Sequence, residues 1–171
     1  MVANVDPLPG FTLDALDGKP WTLQSGRPAL LCFVKEDCPT CGLTMPLIQA
    51  AAEAAGGTVD VVAIGQDSEG NATLVERHQL KLPMLDDSAL KVSFRYSIEI
   101  VPTVILTDAA GVEQRRFIGF GKEDWQALLA ELTRLALNTD SQQLLEDARD
   151  DRVGTDLVGQ FVIAHPDWVS S

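Results

Sequence analysis

Cysteine is scarce in this chain: three in 171 residues, at positions 32, 38 and 41. An odd, low number excludes a secreted scaffold stapled by disulfides, which needs them paired and dense. Histidine is scarcer still, with only His78 and His165, and neither has a partner at ligand spacing. A structural zinc site asks for four ligands, usually two C-x-x-C pairs or one pair plus histidines. One pair, one isolated cysteine and two scattered histidines do not make that set, so no metal is expected. Basic residues are outnumbered, 13 Lys and Arg against 25 Asp and Glu, for a net charge of −12. That balance argues against a nucleic-acid surface, which needs a basic footprint. It also disfavours anionic membranes. No apolar run approaches the roughly 20 residues of a membrane span. The opening "MVANVDPLPGFTL" has neither the basic n-region nor the apolar h-region of an export signal. The expected compartment is the cytoplasm, or the periplasm or exterior if a signal preceded this sequence.

What is present suits one folded domain with an appendage. Apolar residues make up 46% of the chain and charged residues only 22%, enough for a proper core. "FTLDALDGKPWTL" reads as a hairpin, with apolar residues alternating on both sides of the turn pair Asp17-Gly18. "PALLCFV" (28–34) and "TVDVVAIG" (58–65) are short apolar, β-rich runs, so buried strands. Between them an Ala-rich helix is expected from Pro39 to Ala55, stopped by Gly56-Gly57. "NATLVERHQL" and "SALKVSFRYSI" read as short helices, and 103–119 as strand, turn and strand. "KEDWQALLAELTRLAL" (122–137) has helical periodicity. Strands alternating with helices imply a mixed α/β sheet covered by helices. The predicted division is a domain over 1–137 and an extension over 138–171. In the extension, Asn138 to Asp140 are expected to cap a separate helix. The tail keeps Phe161, Val162, Ile163 and Trp168, too apolar for disorder. It either packs back on the domain or covers the partner in a homodimer.

The chemistry concentrates in "KEDCPTCGLTMPLI", residues 35–48. Cys38 follows a buried strand and opens a helix, where free backbone N–H groups and the positive helix end favour thiolate. Pro39 fits the first turn, where its missing N–H costs nothing. Cys41 falls on the same helix face three residues on, within reach of a mixed disulfide formed at Cys38. Pro102, in "EIVPT", stands where proline is tolerated, at the first residue of a strand.

These pieces together resemble the thioredoxin-fold superfamily, and within it the TlpA/ResA-like redoxins. The matching segments span about 8–132: "PLPGFTLDALDGKPWTL", "CPTCGLTMPLI" with its Met45-Pro46 pair, "VDVVAIGQDS", the helix-and-strand insertion between Asp67 and Leu85, and "VPTVILTDAAGVEQRRFIG". The resemblance implies a thioredoxin-like fold, Cys38 as attacking thiol and Cys41 as resolving thiol. It implies that Val101-Pro102 is a cis turn facing the sulfurs and helping to bind an extended substrate backbone. Pro39 and Thr40 would support the site and influence its redox poise. No cofactor is implied beyond a redox-active Cys38–Cys41 disulfide. The partners implied are a disulfide-containing protein or small molecule and an electron-donating reductase or dithiol.

The departures are informative. Relatives usually carry tryptophan before the first cysteine; here Asp37 stands there, preceded by Glu36. These acids oppose a thiolate and lean the pair toward a reductant, with Lys35 offsetting part of the repulsion. Thioredoxins carry a buried acid six residues before that cysteine, and here the position is Cys32. Cys32 reads as a small buried strand residue or as an accessory thiol. Asp67 is the substitute acid/base to consider beside its reading as a loop acid. Two other functions compete. "CPT" resembles peroxiredoxins, which share the entry hairpin, but their proline and threonine, seven and three residues before the reactive cysteine, are Leu31 and Lys35 here. A thioredoxin-fold module binding a partner or copper(I) through Cys38, Cys41 and Met45 is the non-enzymatic alternative.

Overall fold

The computed structural model describes residues 6–23 and 26–147. The elements are β1 (Thr12–Asp14), β2 (Pro20–Thr22), β3 (Ala29–Phe33), α1 (Pro39–Ala55), β4 (Asp60–Gly65), α2 (Ser68–His78), β5 (Met84–Asp86), α3 (Lys91–Arg95), β6 (Thr103–Thr107), β7 (Glu113–Ile118) and α4 (Lys122–Asp147). Five strands form one sheet in the order β5-β4-β3-β6-β7. The pairs β3–β4 and β4–β5 are parallel, and β3–β6 and β6–β7 antiparallel. β1 and β2 form a separate hairpin, which an isolated bridge from Ala15 to Leu85 ties to the β5 edge.

Strand alternation sorts the core into two layers. From β3, Leu30 and Cys32 join one cluster and Ala29, Leu31 and Phe33 the other. β4 divides in the same way, Val61 and Ala63 against Val62 and Ile64. The first layer lies under α1, α2 and α4. Cys41, Met45, Ile48 and Ala55 of α1 meet Trp125, Leu128 and Leu132 of α4 there, both sets at helical spacing. At roughly 1.5–3 kcal/mol per large apolar side chain withdrawn from water, this layer anchors α1 to the sheet. The second layer packs Phe11, Phe33 and Tyr96 under α3 and the hairpin.

α1 ends where its sequence says it should: Gly56 adopts φ 57°, the left-handed C-cap that glycine tolerates. α2 begins three residues earlier than its apolar pattern predicts, because Asp67 caps it and fixes Ser68 as its first residue. α4 departs from expectation more. It does not stop at 137 and restart, but runs unbroken through Asn138-Thr139-Asp140 to Asp147. These residues are weak helix formers, but none lacks an N–H. The Thr139 hydroxyl bonds back to the Leu135 carbonyl at 3.1 Å, a local bond compatible with helix. The tail carrying Phe161 to Trp168, and with it the expected homodimer contact, lies outside the described residues.

Candidate active site at the start of helix α1

Cys38 is the N-cap of α1, with extended backbone at φ −99° and ψ 111°. Its sulfur takes the place an oxygen usually fills, accepting the Cys41 N–H at 3.2 Å. On its other side the Cys38 thiol donates to the Val101 carbonyl oxygen at 3.7 Å. The Val101–Pro102 peptide is cis, and the Pro102 carbonyl accepts the Gly119 N–H at 2.8 Å. One sulfur thus sits between the helix end and the loop that enters β6. Pro39 is exposed at the first helical position. Thr40 contributes its carbonyl, which accepts the Thr44 hydroxyl at 2.8 Å. α1 continues through Pro46 without ending.

The two cysteines of the pair differ sharply in surroundings. Cys38 is half-buried, whereas Cys41 has no exposed surface. Burial pushes the Cys41 thiol up to about 12; the adjoining Cys38 sulfur and the Asp37 charge add to that, and a Lys35 backbone bond works against it. Cys32 is also fully buried and shares the cluster containing Cys41, and burial alone pushes its thiol up. It packs as a small apolar residue between Ala63 and Val104 in the register of the sheet. All three cysteines are free thiols.

The acids before Cys38 are not the unopposed charges their sequence position suggests. Glu36 pairs with Arg77 of α2 at 3.1 Å, and Asp37 with Lys35 at 3.4 Å. Both pairs are partly exposed, so they offset the acids only in part. The Glu36 contact bridges 41 positions, which no local pattern signals. It has a companion at Gly70, where an added Cβ would lie 2.9 Å from the Glu36 Cβ and 2.8 Å from an Asp67 oxygen. Only glycine lets the loop rest on α2 there. Asp67 itself is committed to the helix, accepting the Gly70 N–H at 2.6 Å. Among the described residues, no group of three or more His, Cys, Asp or Glu side chains is gathered to hold a metal. Met45, counted with the cysteines as a copper ligand, is fully buried among apolar neighbours. No helix of the described residues is long and apolar enough to cross a membrane.

Known proteins resemble this chain in sequence and in fold. A methylamine utilization protein MauD from Methylobacillus flagellatus is 30% identical over 135 residues, covering 77% of this chain. The chain spans less than two thirds of that relative's length, 64%. A putative thiol:disulfide interchange protein DsbE from Chlorobium tepidum superposes with TM-score 0.68 at 22% identity, over 77% of this chain and 96% of that one. A secreted Mycobacterium tuberculosis disulfide oxidoreductase superposes with TM-score 0.62 at 23% identity, over 71% of this chain and 95% of that one. The fold is thus that of thioredoxin-like proteins. Residues 5–115, well over half the sequence and including Cys38, Cys41 and the cis turn, match one family throughout: the chain belongs to the AhpC/TSA family.

Proposed function

We propose that the chain is a thiol–disulfide oxidoreductase that works through Cys38 and Cys41. The observation that carries this reading is the half-buried Cys38 sulfur at the α1 N-terminus, bonded to the Cys41 N–H, with the Cys41 thiol buried next to it. The Cys38 thiolate attacks one sulfur of a substrate disulfide. A Cys38–substrate disulfide forms, and the other substrate sulfur leaves as a thiolate that takes up a proton. Cys41 then loses its proton and attacks Cys38 Sγ. The mixed disulfide breaks, the second substrate sulfur leaves, and Cys38–Cys41 becomes a disulfide. Two electrons have passed to the substrate, and a reductase or small dithiol must return them.

Val101 and Pro102 line the approach to Cys38 and would hold an extended substrate backbone there. Pro39 and Thr40 shape the helix start. The expectation of a cytoplasmic protein finds no support among the relatives; one is described as secreted, which favours a place outside the cytoplasm. The peroxidase reading keeps its "CPT" motif and its entry hairpin, and the AhpC/TSA match does not separate the two activities; what favours the oxidoreductase is that the partners of Cys38 Sγ are the Cys41 N–H and the Val101 carbonyl. Trapping tests the assignment. Cys41→Ser is expected to accumulate mixed disulfides through Cys38, and Cys38→Ser to accumulate none. Equal trapping by both variants, or by neither, sinks it.

A further inference from the structure

The backbone segments around Cys38 carry large apolar side chains in water. Ile100 directly precedes Val101, whose carbonyl meets the Cys38 sulfur, and is 58% exposed. Ile118 lies opposite Thr103 in the β6–β7 register and is also 58% exposed. Phe120 follows Gly119, whose N–H is bonded to the Pro102 carbonyl, and is 46% exposed. Scattered exposed apolar residues are ordinary. Three on segments bonded to one another beside a nucleophile mark a contact surface.

The charges around this surface are unbalanced. Arg77 and Lys35 are held by Glu36 and Asp37, so the loop offers no surplus cation. Beyond the loop, Glu99, Glu123 and Asp124 stand against Lys122 and Arg95, all exposed, and Arg95 is committed to the Gly10 carbonyl at 3.0 Å. Glu123 and Asp124 have a structural reason to be acidic, since they occupy the first turn of α4. Glu99 has no such reason. It lies two residues before Val101, in no helix, and within a chain of net charge −12.

We propose that this surface selects a protein substrate whose disulfide lies in an extended apolar segment carrying basic residues, and that Glu99 is a specificity-determining residue for it. The inference rests on the oxidoreductase reading and names its substrate class. Apolar side chains of the substrate cover Ile100, Ile118 and Phe120 while its cations lie near Glu99 and the α4 start. Anionic disulfides meet a repulsive rim and no free cation in the loop.

The test uses the full-length protein with a dithiol donor and three disulfides. Two are disulfide-linked apolar peptides of one sequence, flanked by lysines in one and glutamates in the other; the third is hydroxyethyl disulfide. The kcat/KM ratio of lysine to glutamate peptide is expected to be about tenfold at low salt. It should shrink toward unity as ionic strength rises past about 0.5 M, where screening acts within a few ångströms. Glu99→Gln should lower the low-salt ratio about threefold, roughly one exposed charge at short range. Phe120→Ser and Ile100→Ser should slow both peptides relative to hydroxyethyl disulfide. A ratio at or below one, a ratio indifferent to salt, or one unchanged by Glu99→Gln overturns the proposal. Failure to reduce any of the three disulfides would instead remove the oxidoreductase reading beneath it.

Discussion

On the side of the sheet covered by α1, α2 and α4, the core cluster contains Cys32, Cys41, Met45 and Met84. Among the described residues, the cluster on the opposite side contains no sulfur, and three ring contacts organise it where the first side has one, Phe117 with Trp125 at 5.4 Å. Phe11 stacks near Trp21 at 5.7 Å and against Tyr96 at 5.8 Å, and Phe33 meets Tyr96 at 6.2 Å. Strand β3 separates the two, sending Cys32 one way and Phe33 the other. The lesson is a division of labour within a thin sheet. The aromatic layer fastens α3 and the hairpin, and the sulfur layer positions the helix whose end presents Cys38.

That division can be broken from either side. Under the proposed mechanism, Cys38→Ser should abolish disulfide reduction, by a factor on the order of 10³ or more, because the attacking sulfur is gone. Its thermal unfolding should be almost unchanged, since Cys38 is only half-buried; a large drop in Tm would show that the site also supports the fold. Phe33→Ala should do the converse, costing about 3–5 kcal/mol of stability in denaturant titration. The thiol of the remaining folded protein should keep its reactivity toward hydroxyethyl disulfide, and a lost reactivity would show that the layers are coupled.

A finer test uses pH. Because burial raises the Cys41 thiol to about 12, its thiolate fraction grows about tenfold per pH unit through neutral and mildly alkaline solution. Stopped-flow resolution of a preformed Cys38 mixed disulfide should accelerate accordingly between pH 7 and 10. A plateau near neutrality would reveal a base acting on Cys41. The same shift bears on stability. The folded thiol titrates above its ordinary value of 9.0, so its contribution is fully present below pH 9 and lost as pH rises from there toward 12. The smallest effect is expected at Asp67. Asp67→Ala should cost about 1 kcal/mol by removing the α2 cap and leave the pH profile of resolution in place. A changed profile would give Asp67 the proton-transfer role its sequence position suggested.

Much of this was legible from the chain because it is written locally. The hairpin turn at Asp17-Gly18, the glycine stop of α1 and the cysteine at a helix start each depend on neighbours within a few residues. β5 was harder: three residues, Met84–Asp86, are too short for alternation to show. The break expected at Asn138 came from propensity, and continuous helix prevailed because none of those residues removes a backbone donor. The site was legible in its sulfurs and illegible in its electrostatics. Lys35 is visible beside Asp37, but Glu36 looks unpaired until Arg77 arrives from 41 positions away. Nor does spacing reveal that Gly119, just before Phe120, bonds to the Pro102 carbonyl, since that bond is made where β7 meets β6.

The bare Cα of Gly70 has a mechanical consequence. The loop bearing Cys38 and the first turn of α2 touch there with no slack, and Glu36 is tied by its other end to Arg77 on the same helix. The loop is thereby gauged against α2 at two points, one steric and one ionic. Gly70 and Arg77 together fix where Glu36, two residues before Cys38, lies against a helix that carries neither cysteine of the pair.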